Sequence, residues 1–182
     1  MPGKKQSTPS SGPDETYKEA AATYGAAFSR LAHAYEAESE KRRDLLQEIH
    51  IALWRSLAGF NGTCSLRTWA FRIAHNVAAS HVLRERRRNR VRLVGLEELD
   101  DVPGVPDSLQ AVAEHQALAQ LTDLIRQLLP IDRQVILSYL EGMDAEAISE
   151  LTSLSAPNVA TKVHRIKELL RKRFAARDGD ER

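Results

Sequence analysis

Residues 143–165, which read MDAEAISELTSLSAPNVATKVHR, contain the strongest structural signal in the chain. Asp144 is suited to cap a short helix, and a short turn with an inward-pointing Leu154 follows that helix. Ser155 is suited to cap the next helix, and Pro157 stands in its first turn, where a missing N–H costs nothing. The stretch therefore predicts two helices joined by a tight turn, the layout of a helix-turn-helix.

The second helix of a DNA-binding helix-turn-helix lies in the major groove. Asn side chains can read adenine there, and Arg or Lys side chains can read guanine or hold a phosphate. Ser153 replaces the Gly that the tight turn usually favours, and a non-Gly residue at positive φ costs on the order of 1 kcal/mol. A plain αα-hairpin is the alternative to a DNA-binding motif. The residues that would face DNA are Ser155, Asn158, Thr161, Lys162 and Arg165.

Outward from this motif the pattern is helical, and no stretch alternates apolar and polar residues with the period of a strand. We expect an all-α protein with two small helical domains, residues 16–92 and 108–177, joined by a flexible acidic linker over 93–107. The linker has five acidic residues, no Lys or Arg, and several Pro and Gly. A disordered tail is expected at residues 1–15, and a short tail at residues 178–182. In the first domain, helices are predicted at about 17–38, 42–57 and 66–90. In the second, one helix ends before Pro130, the next ends at Gly142, and two more follow at about 144–151 and 156–174.

The charges nearly cancel, with 26 Lys and Arg against 25 Asp and Glu, so a uniformly basic protein is excluded. The positive charge is nevertheless concentrated in two places. Residues 67–92 carry eight arginines against one Glu, and residues 158–177 carry seven Lys and Arg against one Glu. Two linked basic modules are typical of a protein that binds a polyanion, although a solvated helix surface is the simpler reading of one such run.

Several function classes find no support in the sequence. A single cysteine, Cys64, excludes an internal disulfide framework and a Cys-based zinc site, and it suits a reducing compartment. No apolar run approaches the roughly 20 residues of a membrane span, and the N-terminus has no signal-peptide core, so a cytoplasmic protein is expected. The chain has no Gly-rich phosphate loop, no HExxH motif and no supported nucleophile, so we expect no enzyme, no metal and no cofactor.

The first domain combines an amphipathic helix with a polar loop and an aromatic-arginine segment. The loop after Phe60 is followed by Trp69 and Phe71, which stand among Arg and Asn residues. Aromatic planes beside cations suit unpaired bases, whereas core packing is the simpler reading of Trp69. His75 is expected to be a satisfied histidine of the helix rather than a ligand.

These features together resemble a known family. Residues 44–88, DLLQEIHIALWRSLAGFNGTCSLRTWAFRIAHNVAASHVLRERRR, are similar to the second domain of bacterial RNA polymerase sigma factors of the extracytoplasmic-function (ECF) class. Residues 128–174, LLPIDRQVILSYLEGMDAEAISELTSLSAPNVATKVHRIKELLRKRF, are similar to their fourth domain. The order and spacing of the two parts also agree with that family.

The resemblance implies the partners and the residues that bind them. The partners would be core RNA polymerase, through its clamp helices and flap, promoter DNA, and an anti-sigma factor. The polymerase-binding residues would be Asp44, Leu45, Gln47, Glu48 and Ile51. The residues that capture the minus-ten element and hold the adjoining duplex would be Asn61, Gly62, Thr63, Arg67, Trp69, Arg72, Asn76, Arg84, Arg87 and Arg88. The helix-turn-helix would read the minus-thirty-five element.

Three functions follow from this reading. The first is an alternative sigma factor, which confers promoter specificity on core polymerase. The second is a stand-alone helix-turn-helix regulator, which would bind duplex DNA without polymerase. The third is an adaptor that resembles a sigma factor and sequesters a partner.

Overall fold

The computed structural model describes residues 12–92 and 109–180, with side chains described over 12–88 and 116–175. Over these ranges the chain forms helices and no strand, which confirms the all-α prediction. The helices are α1 Pro13–Tyr35, α2 Ser39–Leu57, α3 Leu66–Arg92, α4 Leu109–Arg126, α5 Pro130–Leu140, α6 Ala145–Thr152 and α7 Ala156–Asp180.

The predicted helix ends differ from the observed ones by a few residues. α1 begins at Pro13, inside the predicted tail, because Pro is compatible with the first turn of a helix. α7 continues to Asp180, so the predicted tail after residue 177 is in part helical. The predicted linker over 93–107 and the rest of the predicted N-terminal tail, residues 1–11, lie outside the described residues.

The first domain is a bundle of α1, α2 and α3. Each helix contributes an apolar stripe to one core, and Phe28, Leu45, Ile49, Leu53 and Phe71 are almost completely buried in it. Ser65 caps the N-terminus of α3, because its Oγ accepts a hydrogen bond from the Thr68 N–H at 3.0 Å. The bundle therefore fixes the direction of α3, which carries the first basic segment.

The second domain packs α4, α5 and α6 against α7. Its most buried apolar side chains are Leu124, Val135, Ile136, Ile148 and Val159. Along the described part of these helices, the apolar stripe of α7 continues through Val163, Ile166 and Leu170. One face of α7 therefore packs against the domain, and the opposite face is exposed to solvent.

The predicted helix-turn-helix is present as α6 and α7. Asp144 Oδ1 accepts a hydrogen bond from the Ala147 N–H at 2.8 Å, which confirms the predicted cap. Ser153 has a φ of 62°, so the turn does place a serine in the left-handed region. Leu154 is half-buried and packs against the core, which confirms the prediction that it points inward.

The two domains also pack against each other. α1 contacts α4, and α3 contacts α5 and α6. His75 of α3 lies completely inside this junction, where its ring nitrogens meet Tyr35 Oη of α1 at 3.1 Å and Ser138 Oγ of α5 at 3.2 Å. This confirms that His75 is a satisfied helix histidine, and burial lowers its pKa to about 3. Among the described residues, no helix has the length and apolar character needed to cross a bilayer.

Candidate nucleic-acid and polymerase interface

The outer face of α7 carries most of the side chains predicted to read DNA. Asn158, Thr161 and Arg165 are exposed and follow one another at spacings of three and four residues, so they share one helix face. Ser155 is exposed just before the helix. Because the buried stripe of α7 fixes the rotation of the helix, this polar face points away from the domain.

Lys162 differs from its neighbours on α7. Its Nζ donates to Asp132 Oδ1 of α5 at 2.5 Å, and its side chain is 33% exposed. Sequence reasoning did not single out Asp132, which lies 30 residues away and belongs to no recognisable pattern with Lys162. In the structure Lys162 is therefore oriented by an ion pair within the domain.

The loop before α3 has a defined shape. Asn61 Oδ1 accepts hydrogen bonds from the Thr63 N–H at 3.2 Å and from Thr63 Oγ1 at 2.9 Å, which closes a tight turn. Gly62 has a φ of 73°. Because glycine has no Cβ, this left-handed conformation costs it little free energy. Asn61 and Thr63 are exposed at the tip of this loop.

Trp69 packs against the residue that directly precedes this loop. Its Nε1 donates to Ser56 Oγ at 3.0 Å, and its ring centroid lies 5.4 Å from that of Phe60. The side chain is half-buried, so part of it belongs to the core and part remains accessible. The indole ring is therefore tied to the end of α2 and to Phe60, the residue that directly precedes the loop.

Arg67 and Arg72 point from α3 toward the second domain. Arg67 donates to the carbonyl of Glu141 and, at 3.5 Å, to the carbonyl of Gly142. Arg72 Nη2 donates to the carbonyl of Glu150 at 2.9 Å. Both guanidinium groups therefore already have acceptors in this arrangement, which the sequence did not indicate.

The C-terminal half of α3 presents a cationic surface. Arg84 Nη2 lies 2.5 Å from Glu48 Oε2 of α2, and Arg88 Nη1 lies 3.1 Å from Glu85 Oε1. Arg84, Arg87 and Arg88 are exposed, and so is Asn76 further up the helix. The structure thus brings four of the predicted minus-ten residues to the accessible side of one helix.

The predicted polymerase-binding face lies on α2. Asp44, Gln47, Glu48 and Ile51 are exposed, and Ile51 retains half of its accessible surface. Leu45 does not belong to this face: it is 0% exposed, because it falls on the core stripe of the helix. Its inclusion in the predicted contact surface was wrong.

A groove of about 520 Å³ runs between α2 and α3. Glu48 and Ile51 line it from α2, and Asn76 and Arg84 line it from α3. Residues predicted to bind polymerase therefore line one side of this groove, and residues predicted to bind DNA line the other.

Comparison with known proteins identifies both domains. The family model described as Sigma-70 region 2 matches residues 21–88, and the model described as Sigma-70, region 4 matches residues 118–170. The chain is 27% identical over 166 residues to the ECF RNA polymerase sigma factor SigX of Bacillus subtilis, covering 87% of this chain and 84% of SigX. It is 28% identical over 168 residues to the RNA polymerase sigma factor CnrH of Cupriavidus metallidurans, covering 88% of this chain and 87% of CnrH.

Two solved structures share the fold. The structure of CnrH in complex with the cytosolic domain of CnrY has a TM-score of 0.64 and 21% sequence identity, with 90% of each chain covered. The sigma factor RpoE in complex with the anti-sigma factor NepR from Bartonella quintana has a TM-score of 0.65 and 21% identity, with 86% of this chain and 94% of that chain covered.

The match to the first domain excludes a stand-alone helix-turn-helix regulator, which would need only the second. Both predicted domains, their order and their spacing agree with one family. The chain therefore belongs to the ECF class of bacterial RNA polymerase sigma factors and is an alternative sigma factor that directs promoter-specific transcription initiation.

Proposed function

We propose that α7 reads the minus-thirty-five element through its exposed polar face. Asn158, Thr161 and Arg165 are the side chains that reach base edges or phosphates, and Ser155 contacts the backbone at the start of the helix. The observation that carries this assignment is the rotation of α7, whose apolar stripe is buried and whose opposite face is polar and accessible. Lys162 joins this set if DNA replaces Asp132 as its partner.

The first domain would capture the minus-ten element. The loop Asn61, Gly62 and Thr63, whose first and last residues are exposed, directly follows Phe60, which packs on the ring of Trp69. A polar loop next to an anchored aromatic ring suits an unstacked base. Flipping one base costs a few kcal/mol, which a stacking wall and charged donors can offset. The other members of this set are Arg67, Arg72, Asn76, Arg84, Arg87 and Arg88, which would hold the strand and the adjoining duplex.

Core RNA polymerase would bind the exposed face of α2, with Asp44, Gln47, Glu48 and Ile51 in contact. The resemblance to ECF sigma factors implies that this face contacts the clamp helices of the largest polymerase subunit. It also implies that the second domain contacts the flap. The acidic side chains together with an exposed Ile give the mixed surface that specific protein interfaces use. Leu45 would support this surface from the core.

An anti-sigma factor is a further proposed partner. The two solved structures with this fold are of sigma factors bound to inhibitors: CnrH with CnrY and RpoE with NepR. That precedent supports the same kind of partner for this chain. The protein would act in the cytoplasm, where core polymerase and the chromosome are.

We expect no enzymatic activity of the chain itself. Its single thiol, Cys64, is partly buried, and burial raises the pKa of that thiol, which disfavours the thiolate that a nucleophile needs. Catalysis in the complex would belong to the polymerase.

The function is tested by run-off transcription. The purified chain is mixed with core polymerase and genomic DNA, and the RNA start sites are sequenced. We expect start sites that share a two-element motif upstream. If the chain binds core polymerase and no promoter opens, the adaptor that sequesters polymerase is supported instead.

Residue roles are tested by matched variants. Arg165→Ala is expected to weaken binding of the upstream element roughly tenfold to a hundredfold while polymerase binding stays intact. Lys172→Ala, which removes an equal charge elsewhere on α7, is expected to have a smaller effect. Equal loss of polymerase and DNA binding in Arg165→Ala would contradict the assignment.

A variant of the exposed face of α2 should show the reverse pattern, with polymerase binding weakened and DNA recognition retained. Glu48→Arg is expected to weaken polymerase binding and to spare recognition of the upstream element. Because Glu48 pairs with Arg84, Arg84→Ala serves as the control that breaks the same ion pair from the DNA side. Arg84→Ala should leave polymerase binding unchanged, and a loss there as large as in Glu48→Arg would contradict a direct contact of Glu48.

A further inference from the structure

An ion pair joins α7 to another helix of the second domain. Lys162 Nζ of α7 donates to Asp132 Oδ1 of α5 at 2.5 Å. The two side chains retain 33% and 20% of their accessible surface, so water and salt screen this pair less than an exposed one. The pair of Arg171 with Glu168, by contrast, lies on α7 alone, and the Arg171 side chain is 68% exposed. Lys162 is therefore held by the packing of α5 on α7 and not only by its own helix.

Lys162 borders the face of α7 that is proposed to read DNA. Asn158 precedes it by four residues and Arg165 follows it by three, so both exposed side chains are its neighbours on the helix surface. On its other side, Val159 and Ile166 are buried in the core. Lys162 thus lies at the boundary between the buried stripe and the polar face, beside two side chains that could contact base edges.

Asp132 keeps a negative charge at this boundary. It lies in the first turn of α5, whose N-cap residue, Leu129, provides no side-chain acceptor. A carboxylate in that turn is stabilised by the positive end of the helix dipole. Within residues 12–88 and 116–175, Lys162 is the one cation that pairs with it. The carboxylate would therefore be left unpaired if Lys162 turned away.

The carboxylate changes what the Lys162 ammonium can bind. An ammonium has three donors, and one of them goes to Asp132, so the other two can still meet DNA. A lone ammonium is drawn to any phosphate, whereas a neutral pair gains little from a phosphate and places a carboxylate next to it. The neutral acceptors that guanine presents in the major groove meet no such repulsion. The pair therefore favours a base edge over a phosphate.

The other cations of α7 show why this preference matters. Residues 156–175 carry six Lys and Arg against one Glu. Phosphate contacts carry no sequence information, so each cation that makes one raises the affinity for all DNA alike. Lys172 is such a cation, because it is exposed and makes no ion pair with residues 12–88 or 116–175. Lys162 differs from Lys172 in having a carboxylate partner.

We propose that Asp132 is a positioning residue that determines specificity: it holds Lys162 for a base of the minus-thirty-five element and away from phosphates. The inference rests on the proposed reading of that element by α7. Asp132 stays bound to Lys162 in the complex, and the two remaining donors of the ammonium meet a guanine edge beside the contacts of Asn158 and Arg165. Replacement of Asp132 by DNA is then not required.

The test uses holoenzymes assembled from core polymerase and full-length variants. The probes are two fluorescein-labelled promoter duplexes, one with the promoter found by start-site sequencing and one with its minus-thirty-five element scrambled. The ratio of their dissociation constants measures discrimination, and the salt dependence of each constant reports phosphate contacts. Asp132→Asn removes the charge, and Asp132→Glu keeps it. Asp123→Asn is the control, because it removes an equal charge that pairs with Arg126 on α4.

We expect Asp132→Asn to bind the scrambled duplex about three to ten times more tightly than the wild type, because Lys162 then reaches a phosphate. The salt slope for that duplex should steepen by about one. The intact duplex should gain less, so that discrimination falls, and Asp132→Glu should restore it. A fall no larger than in Asp123→Asn would overturn the proposal. So would an effect of Asp132→Asn that persists when Lys162→Met is added.

A pair of lysine variants tests the same role without changing Asp132. Lys162→Met should weaken binding of the intact duplex about three to ten times and leave the scrambled duplex unchanged. Lys172→Met should weaken both duplexes alike. This comparison decides the matter if Asp132→Asn loses helical circular dichroism, and equal weakening of both duplexes by Lys162→Met would contradict the positioning role.

The wild-type holoenzyme separates this inference from the proposed function. If it discriminates between the duplexes and Asp132→Asn discriminates equally well, the positioning role is wrong while the reading of the element by α7 stands. If the wild type does not discriminate, the reading by α7 fails, and the role of Asp132 fails with it.

Discussion

At the scale of single residues, Ser153 is the clearest conflict between sequence and backbone. It has φ 62° and ψ 15° at the turn of the helix-turn-helix, a conformation in which Cβ crowds the backbone. Its side chain is exposed, so removing it opens no cavity. The residue therefore carries a local strain that nothing in its packing requires.

We expect Ser153→Gly to stabilise the protein by up to about 1 kcal/mol, because relief of the left-handed strain exceeds the added freedom of the unfolded chain. Ser153→Ala, which keeps Cβ, should change the free energy of unfolding little. Urea unfolding of the three proteins measures both effects. A glycine variant no more stable than the alanine variant would show that the turn is not strained.

At the scale of elements, α6 is the helix most dependent on its ends. It has eight residues, Ala145–Thr152, too few for an isolated helix to be stable in water. Its first turn is closed by Asp144, and its last by the N–H of Ser153. A short helix with two defined ends positions α7 by packing Ile148 and Leu151 into the core.

Asp144→Ala should destabilise the protein by about 1 kcal/mol, because the Ala147 N–H loses its acceptor and the helix N-terminus loses a negative charge. Asp144→Asn retains an acceptor oxygen and should cost less. Thermal unfolding followed by circular dichroism gives the comparison. If both variants were equally unstable, charge rather than the capping bond would be the main contribution.

At the scale of the whole molecule, His75 joins three helices from two domains. Tyr35 of α1, Phe71 of α3 and Ser138 of α5 surround its ring, and Arg133 of α5 lies 5.0 Å from the ring of Tyr35. Burial lowers the pKa of His75 to about 3, so the ring is neutral in the folded protein. The unfolded chain takes up a proton near pH 6.5, and stability is therefore lost as the pH falls below that value toward 3.

We expect His75 to reduce the free energy of unfolding by about 1.4 kcal/mol between pH 7.5 and pH 5.5. His33 and His50, whose pKa values burial also lowers, act in the same direction. Urea unfolding at the two pH values should show a smaller difference for His75→Gln than for the wild type. An equal difference in both proteins would mean that His75 stays accessible to protons.

Much of the molecule follows from local sequence. The cap at Asp144 and the tight turn at Ser153 were predicted correctly, because they depend on residues close together in the chain. The cap at Ser65 and the buried stripe of α7 depend on equally local residues. The exposed face of α7 follows from the same periodicity, because a buried stripe fixes the opposite side of a helix. The family resemblance rests on such local patterns, and the comparisons confirm it.

Other features were decided only by the packing of distant segments. The partners of Arg67 and Arg72 are carbonyls 74 to 78 residues further along the chain, and Arg30 meets Glu141 across 111 residues. A backbone carbonyl leaves no mark in the sequence, and an ion pair between two charges so far apart in the chain has no periodic signature. The sequence alone determined two helical modules and the faces they present. The tertiary structure determined that carbonyls of the second module contact Arg67 and Arg72 of the first, because helix ends acquire partners only when helices meet.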